Sequence, residues 1–282
     1  LKIIVAKTAG YCYGVRRATE MAFEAVRNAK GPIYSLGEII HNPQVVSQLE
    51  ESGVRLVRDV KAIRGGTAII PAHGRTASDV EYLRKRGVPT VDATCPHVRL
   101  PQRAIADLAA EGCPIIFLGD PAHPEVRAVS SYARGAEVMF VTDVSELPAL
   151  RGVKKVGVIA QTTQSAERFR ALVSELKARI PSVLVRDTIC SATRRRQEEA
   201  EKLSGRADTM IVIGGRLSAN TKRLAEICRK NCRITRHVES AGELEGMEFD
   251  SSGILGITAG ASTPEWVIAE VLEKLNSIDG GG

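Results

Sequence analysis

Cys12, Cys95 and Cys190 each close an apolar run: Lys2-Ile-Ile-Val-Ala-Lys-Thr-Ala-Gly-Tyr before Cys12, Val88-Pro-Thr-Val-Asp-Ala-Thr before Cys95, and Val183-Leu-Val-Arg-Asp-Thr-Ile before Cys190. The near-even spacing marks a repeat that delivers one thiol per unit, and three such thiols suggest a shared metal centre. Soft thiolate sulfur suits zinc or an iron–sulfur cluster. A cubane cluster normally takes four cysteines, one for each iron. With three, one iron keeps an open position and can act on a substrate oxygen as a Lewis acid, which points to catalysis rather than electron storage. A free cysteine is often just a small buried hydrophobe. That reading suits Cys113, Cys228 and Cys232, which have no counterparts in the repeat, although Cys228 and Cys232 stand four apart and could share a helical face.

Polar residues recur in step with the cysteines. Three short apolar runs end in glycine, at Gly37, Gly119 and Gly214, and four residues beyond each lie His41, His123 and Ser218. A third recurring position follows a second set of apolar runs: His73-Gly74, Gln161-Thr162-Thr163 and Ser262-Thr263-Pro264. These side chains, with Asn220, are hydrogen-bond donors placed where strands hand over to helices, where backbone N–H groups and the helix dipole favour phosphate. Glu125 lies among His123, Pro124 and apolar neighbours. A carboxyl enclosed there beside an anion is expected to hold its proton and act as an acid, although a helix-start glutamate facing the dipole has the same pattern. Thr162 or Thr163 could relay or orient that proton.

Helical periodicity after the cysteines predicts helices over Val15 to Asn28, Pro101 to Glu111 and Thr193 to Leu203. Strands are expected over 33–37, 115–119 and 210–214, and again over 67–72, 156–160 and 254–260. Weaker ones are expected at 54–57, 137–142 and 233–238, and further helices start at Ala77, Ser165 and Pro264. The last helix carries a hydroxyl cap, proline and Glu265 at its start. The first two units end in a strand with a cysteine but the third does not, so the N-terminal strand with Cys12 must complete it. The domain expectation is therefore 13–95, 96–190, and 191–282 together with 1–12. The fold class is α/β: three units with mainly parallel sheets in a ring, ligands lying beyond the C-terminal strand ends.

At 282 residues the chain is long enough to subdivide and needs no disulfide staples, and no apolar stretch approaches membrane-spanning length. The expectation is a cytoplasmic protein with free or metal-bound cysteines and no membrane association. The chain starts at Leu1 rather than Met, so its native start is in question, and Gly280-Gly281-Gly282 is expected to be a disordered tail. A net charge of +6 favours anionic partners, but aromatic residues are only 4% of the chain, too few to stack single-stranded nucleic acid. The run Arg194-Arg195-Arg196, followed by Gln197-Glu198-Glu199, is expected to be the solvated face of a helix.

Ala9-Gly-Tyr-Cys-Tyr-Gly14, His41-Asn-Pro43, Asp92-Ala-Thr-Cys-Pro96, His123-Pro-Glu125, Gln161-Thr-Thr163, Asp187-Thr-Ile-Cys190 and Thr258-Ala-Gly-Ala-Ser262 occur in an order that resembles the IspH (LytB) family of 4-hydroxy-3-methylbut-2-enyl diphosphate reductases. The resemblance spans essentially the whole chain. It implies a trefoil of three pseudo-threefold-related α/β domains around a central [4Fe–4S] cluster held by Cys12, Cys95 and Cys190, with one open iron. The implied reaction is two-electron reductive dehydroxylation of an allylic alcohol diphosphate to isopentenyl and dimethylallyl diphosphates, in non-mevalonate isoprenoid biosynthesis. His41, His73, Ser218, Asn220 and Ser262 would then clamp the diphosphate, with His123 beside the substrate. Thr162 would contact the substrate hydroxyl and Glu125 would supply its proton. The chain departs from the family pattern at Pro71-Ala72, where Arg-Ser is expected, and at Ala219, where some relatives carry a hydroxyl.

No nicotinamide or flavin site is apparent, so an outside reductant is expected, and the basic surface suits an acidic ferredoxin or flavodoxin. A monomer is expected. Two other readings of the same residues are a zinc-dependent hydrolase of a phosphorylated substrate, using Glu125 as base, and a non-catalytic binder of a phosphorylated ligand.

Overall fold

The structure is a computed structural model, and it describes residues 2–247, 249–250 and 252–279. The expected Gly280–Gly282 tail and the start at Leu1 lie outside the described residues. In chain order the elements are β1 (Lys2–Val5), α1 (Tyr13–Asn28), β2 (Ile33–Leu36), α2 (Pro43–Glu51), β3 (Val54–Val57), β4 (Thr67–Ile70), α3 (Ala77–Lys85) and β5 (Thr90–Asp92). There follow α4 (Pro96–Ala110), β6 (Ile115–Leu118), α5 (Pro124–Ser130), β7 (Val138–Val141), β8 (Lys155–Ala160), α6 (Ala166–Arg179) and β9 (Ser182–Val185). The last are α7 (Ser191–Ser204), β10 (Thr209–Ile213), α8 (Ala219–Asn231), β11 (Ile234–Val238), β12 (Ile254–Ala259) and α9 (Glu265–Asp279).

The strands form three four-stranded sheets, ordered β3-β2-β4-β5, β7-β6-β8-β9 and β11-β10-β12-β1. Every pairing is parallel. The three orders are one pattern: the first strand of the repeat lies between its second and third, and the fourth lies outside the third. In the third sheet that fourth place is taken by β1, with Lys2 opposite Ile254, which is the circular offset expected from the sequence.

Parallel strands covered on both faces are apolar throughout, and β6 shows why Ile-Ile-Phe-Leu reads that way. Ile116 and Leu118 pack with Phe169, Leu172 and Leu176 of α6, while Ile115 and Phe117 pack with Ile105 and Leu108 of α4. Leu172 and Leu176 are fully buried, and truncating either to alanine is worth about 2–5 kcal/mol. The chain divides by contacts into two compact units. One comprises residues 1–15, 41–44 and 191–282 and holds the β11-β10-β12-β1 sheet; the other comprises 16–40 and 45–190 and holds the other two.

Three helix starts differ from expectation in the same way. α1, α4 and α7 begin at Tyr13, Pro96 and Ser191, each the residue after a repeat cysteine. Pro101 is therefore inside α4, where it gives up the bond to the His97 carbonyl, and Pro96 is the proline at the helix start. Helices α6 and α9 start one residue later than expected, at Ala166 and Glu265, with Ser165 capping Arg168 N–H. The run at 194–196 is not uniformly solvated. Arg196 is 5% exposed and lies on a helical stripe with Thr193, Gln197, Ala200 and Leu203.

Candidate active site

The strand order places a topological switch between the first and third strands of each repeat, the place where open α/β sheets bind ligands beyond the strand ends. Both sets of recurring polar residues follow those strands. In each sheet the fourth strand leads to the cysteine, and a shared hydrogen bond fixes it. The N–H of Cys12 donates to Ala261 O at 3.1 Å, that of Cys95 to Ala72 O at 2.9 Å, and that of Cys190 to Thr162 O at 3.0 Å. Each acceptor lies two residues beyond the third strand of its own sheet.

Cys12, Cys95 and Cys190 are half-exposed, whereas Cys113, Cys228 and Cys232 are buried. The first three each precede a helix of fourteen or more residues, whose N-terminal end favours a negatively charged neighbour. The others are inert. Burial, with Cys232 nearby, pushes the Cys228 thiol up to about 12, and the Cys232 sulfur donates to the carbonyls of Ala207, Asp208 and Ile234. Cys232 lies past the end of α8 in an extended conformation, so it shares no helical face with Cys228, and both belong to the core. Among the described residues no three His, Cys, Asp or Glu side chains gather as ligands of a metal ion.

In the larger unit, the loops after β6 and β8 meet at one carboxylate. Glu125 is 4% exposed; one of its oxygens accepts the Thr162 N–H at 2.7 Å and the other accepts the Thr162 hydroxyl at 2.6 Å. Of the two threonines open from sequence, Thr162 is thus the one joined to Glu125. His123 caps α5 by accepting the Glu125 N–H on Nδ1 at 3.1 Å, which puts the proton of a neutral ring on Nε2. Gln161 is buried, accepts Asp120 N–H at 3.3 Å, and has an Nε2 without a protein partner. Its N–H bonds Leu118 O at 2.9 Å, as that of Gly260 bonds Ile213 O at 2.8 Å. Pro71 occupies the matching place in the remaining sheet and has no N–H; Ala72 N instead donates to Ile39 O at 3.0 Å. The Pro71-Ala72 departure therefore changes how the loop carrying half-buried His73 is tied to its sheet.

The other unit holds His41, Ser218, Asn220 and Ser262 with Cys12. Ser218 caps α8 by accepting Thr221 N–H at 3.3 Å. Asn220, 4% exposed, has an Nδ2 with no protein partner, and so has the Thr221 hydroxyl. The orphaned Asn220 amide in the first turn of a thirteen-residue helix fits an anion with several acceptor oxygens, whereas the Thr221 hydroxyl is wholly enclosed under Gly260. The Ser262 hydroxyl donates to the His41 carbonyl at 3.0 Å, joining those two loops. Gly260 lets this arrangement close, because a β-carbon there would overlap the Thr221 hydroxyl. Gly260→Ala is expected to destabilise the protein by about 1–3 kcal/mol, measured by urea unfolding, through forced displacement of Thr221. Sequence reasoning missed Thr221, Arg196 and Glu199. The two residues of α7 were legible, since Arg196 sits in register with Ala200 and Leu203.

A parallel α/β architecture with an anion-fitting helix end and a buried carboxylate–threonine pair at strand ends defines an enzyme of the α/β class. The profile of the family described as LytB protein matches residues 3–276, and the chain belongs to that family. It is 46% identical over 280 residues to a 4-hydroxy-3-methylbut-2-enyl diphosphate reductase of Geobacter sp. strain M21, covering 99% of this chain and 98% of the relative. A protein of the same name from Geobacter sulfurreducens is 46% identical over 279 residues, at 99% and 98% coverage. Among solved structures, one of (E)-4-hydroxy-3-methyl-but-2-enyl diphosphate reductase, the terminal enzyme of the non-mevalonate pathway, matches with a TM-score of 0.73. Its sequence identity is 39%, covering 99% of this chain and all of that one. A reductase from Plasmodium falciparum matches with a TM-score of 0.86 and 27% identity, covering 98% of this chain and 87% of its own. No helix among the described residues is long and apolar enough to cross a membrane.

Proposed function

We propose that this chain is a 4-hydroxy-3-methylbut-2-enyl diphosphate reductase, taking two electrons and two protons to replace the allylic hydroxyl with hydrogen and release water. The observation that carries the reading is the Glu125–Thr162 pair, with both carboxylate oxygens turned to Thr162 at the switch point of its sheet. Full-length relatives of that name support it.

Cys12, Cys95 and Cys190 would hold a [4Fe–4S] cluster. Three half-exposed thiols in matching backbone settings at helix starts are a fitting donor set. When bound, the cluster supplies single electrons and a Lewis-acidic iron. The protein's own part begins with the diphosphate: Ser218, Asn220 and the start of α8 offer donors, and His41, His73 and Ser262 complete the proposed clamp. Binding there fixes the allylic end. Hydroxide is a poor leaving group, so a proton must reach the hydroxyl oxygen as the C–O bond breaks. Glu125 would hold that proton, Thr162 Oγ1 would orient or relay it, and His123 would bind through Nε2–H. The repeats 13–95, 96–190, and 191–282 with 1–12 would be its three domains. Electrons would come from a ferredoxin or flavodoxin.

The test is strictly anaerobic purification, then iron, sulfide and zinc analysis and an assay on the allylic diphosphate. About four irons and four sulfides per chain with reductant-dependent turnover are expected. Zinc alone with hydrolysis of the phosphate ester would replace this reading.

A further inference from the structure

All three cysteine loops are tied down. That of Cys95 is held in part by Arg17 of α1, whose Nη1 donates to the Thr94 carbonyl at 3.3 Å, and that of Cys190 in part by Thr188, whose hydroxyl donates to Ala160 O at 2.5 Å. Each of these two also carries an aspartate turn of its own. Asp92, three positions before Cys95, accepts the N–H of Thr94 at 3.0 Å, and Asp187, three before Cys190, accepts that of Ile189 at 3.3 Å. Each is a local turn closed by an aspartate on the backbone two residues on. The matching position before Cys12 is Ala9, which has no side-chain acceptor. There the fastening comes from α7, remote in the chain. Glu199 accepts the Lys7 N–H at 2.7 Å on one oxygen, and the Thr8 N–H at 2.8 Å and hydroxyl at 2.5 Å on the other. Arg196, about one turn earlier on α7, donates Nη2 to the Gly10 carbonyl at 2.6 Å. Gly10 has φ +93°, a left-handed conformation that the chain adopts readily only at glycine.

We infer that Arg196, assisted by Glu199, is the positioning residue for Cys12, holding from α7 a loop that lacks the aspartate turn of the other two repeats. The inference rests on Cys12 being a cluster ligand. A buried guanidinium on a carbonyl is a charge-assisted bond, and losing it leaves the carbonyl without that donor. Burial pushes the Glu199 carboxyl up, but its bonds to Thr8 and Lys7 outweigh this and hold its pKa below the usual range. Its grip is therefore present at neutral pH and is lost only as pH falls through that lowered value. The Cys95 and Cys190 loops keep an aspartate turn if their remote ties are lost, whereas the Cys12 loop, with Ala9 at the matching place, has no such turn and depends on α7.

The experiment measures the anaerobic rate of iron loss to a chelator for the loaded wild-type protein and for Arg196→Met, Arg196→Lys, Glu199→Gln and Cys12→Ser. Arg196→Met is expected to lose iron about tenfold faster or more, the scale typical of residues supporting a metal ligand, with Arg196→Lys restoring most of the retention. Iron loss from Arg196→Met within twofold of wild type would overturn the inference. So would equal acceleration in the Met and Lys variants with equally lowered melting temperatures, which marks general destabilisation. Should Arg196→Met not fold, Glu199→Gln decides: faster loss supports the clamp, and wild-type retention removes it. A Cys12→Ser protein that keeps a full cluster would instead overturn Cys12 as a ligand, a distinct failure.

Discussion

Cys95→Ser is expected to abolish reductive turnover and the cluster's visible absorption, while Cys228→Ala keeps both. A serine hydroxyl at position 95 preserves volume and the backbone bond to Ala72, so the fold should survive with a melting temperature near wild type. What disappears is the soft sulfur ligand. Cys228 is a fair control because its thiol, pushed up to about 12 by burial, is held in the core among Leu203 and Leu224. Its truncation costs stability on the order of 1 kcal/mol, as for loss of one small buried apolar group. Iron content and initial rate, measured on both proteins prepared in parallel, separate the roles. A Cys95→Ser enzyme with wild-type rate would remove the cluster assignment.

Glu125→Gln is expected to load iron normally and to turn over about a hundredfold more slowly, or worse, the usual scale for loss of a general acid. The amide is isosteric, and its oxygen can still accept the Thr162 N–H. Its NH2 then faces the Thr162 hydroxyl as a donor, and the side chain has no proton to pass on. The loss should fall on kcat rather than KM, because Glu125 is not among the residues proposed to clamp the diphosphate. A steady-state comparison at saturating reductant checks this, and a normal kcat would take the proton role away from Glu125.

The strands were legible because a parallel sheet covered on both faces demands unbroken apolar runs, and Ile115–Leu118 or Met210–Ile213 have no other explanation. The offset of β1 was legible too, since a repeat with one strand missing at its end must recover it. Helix starts were less so. Periodicity appears only after the first turn, so Tyr13 and Ser191 carry no signal that sets them apart, whereas Pro96, a proline at the first helical position, carried one that the periodic stretch from Pro101 obscured. The polar loops showed which residues recur, but not that Thr162 rather than Thr163 bonds Glu125, a matter of where one backbone N–H points. Arg196 was misread because charge type was weighed above its place on the α7 stripe. A buried arginine is tolerated when its donors find carbonyls, and position along a helix predicts that better than composition does.

The pairing of β1 with β12 has a consequence in time. On the ribosome, residues 2–5 emerge long before the strand they pair with, so one edge of that sheet stays unmade while the other two sheets have all their strands. Closing so long a loop is slow, but each doubling of its length adds only about 0.6 kcal/mol. The loop carrying Cys12 thus acquires its sheet only once residues 254–259 are out. A nascent chain can set Cys95 and Cys190 against their own finished sheets before β12 emerges, but not Cys12, whose setting waits for that one late strand.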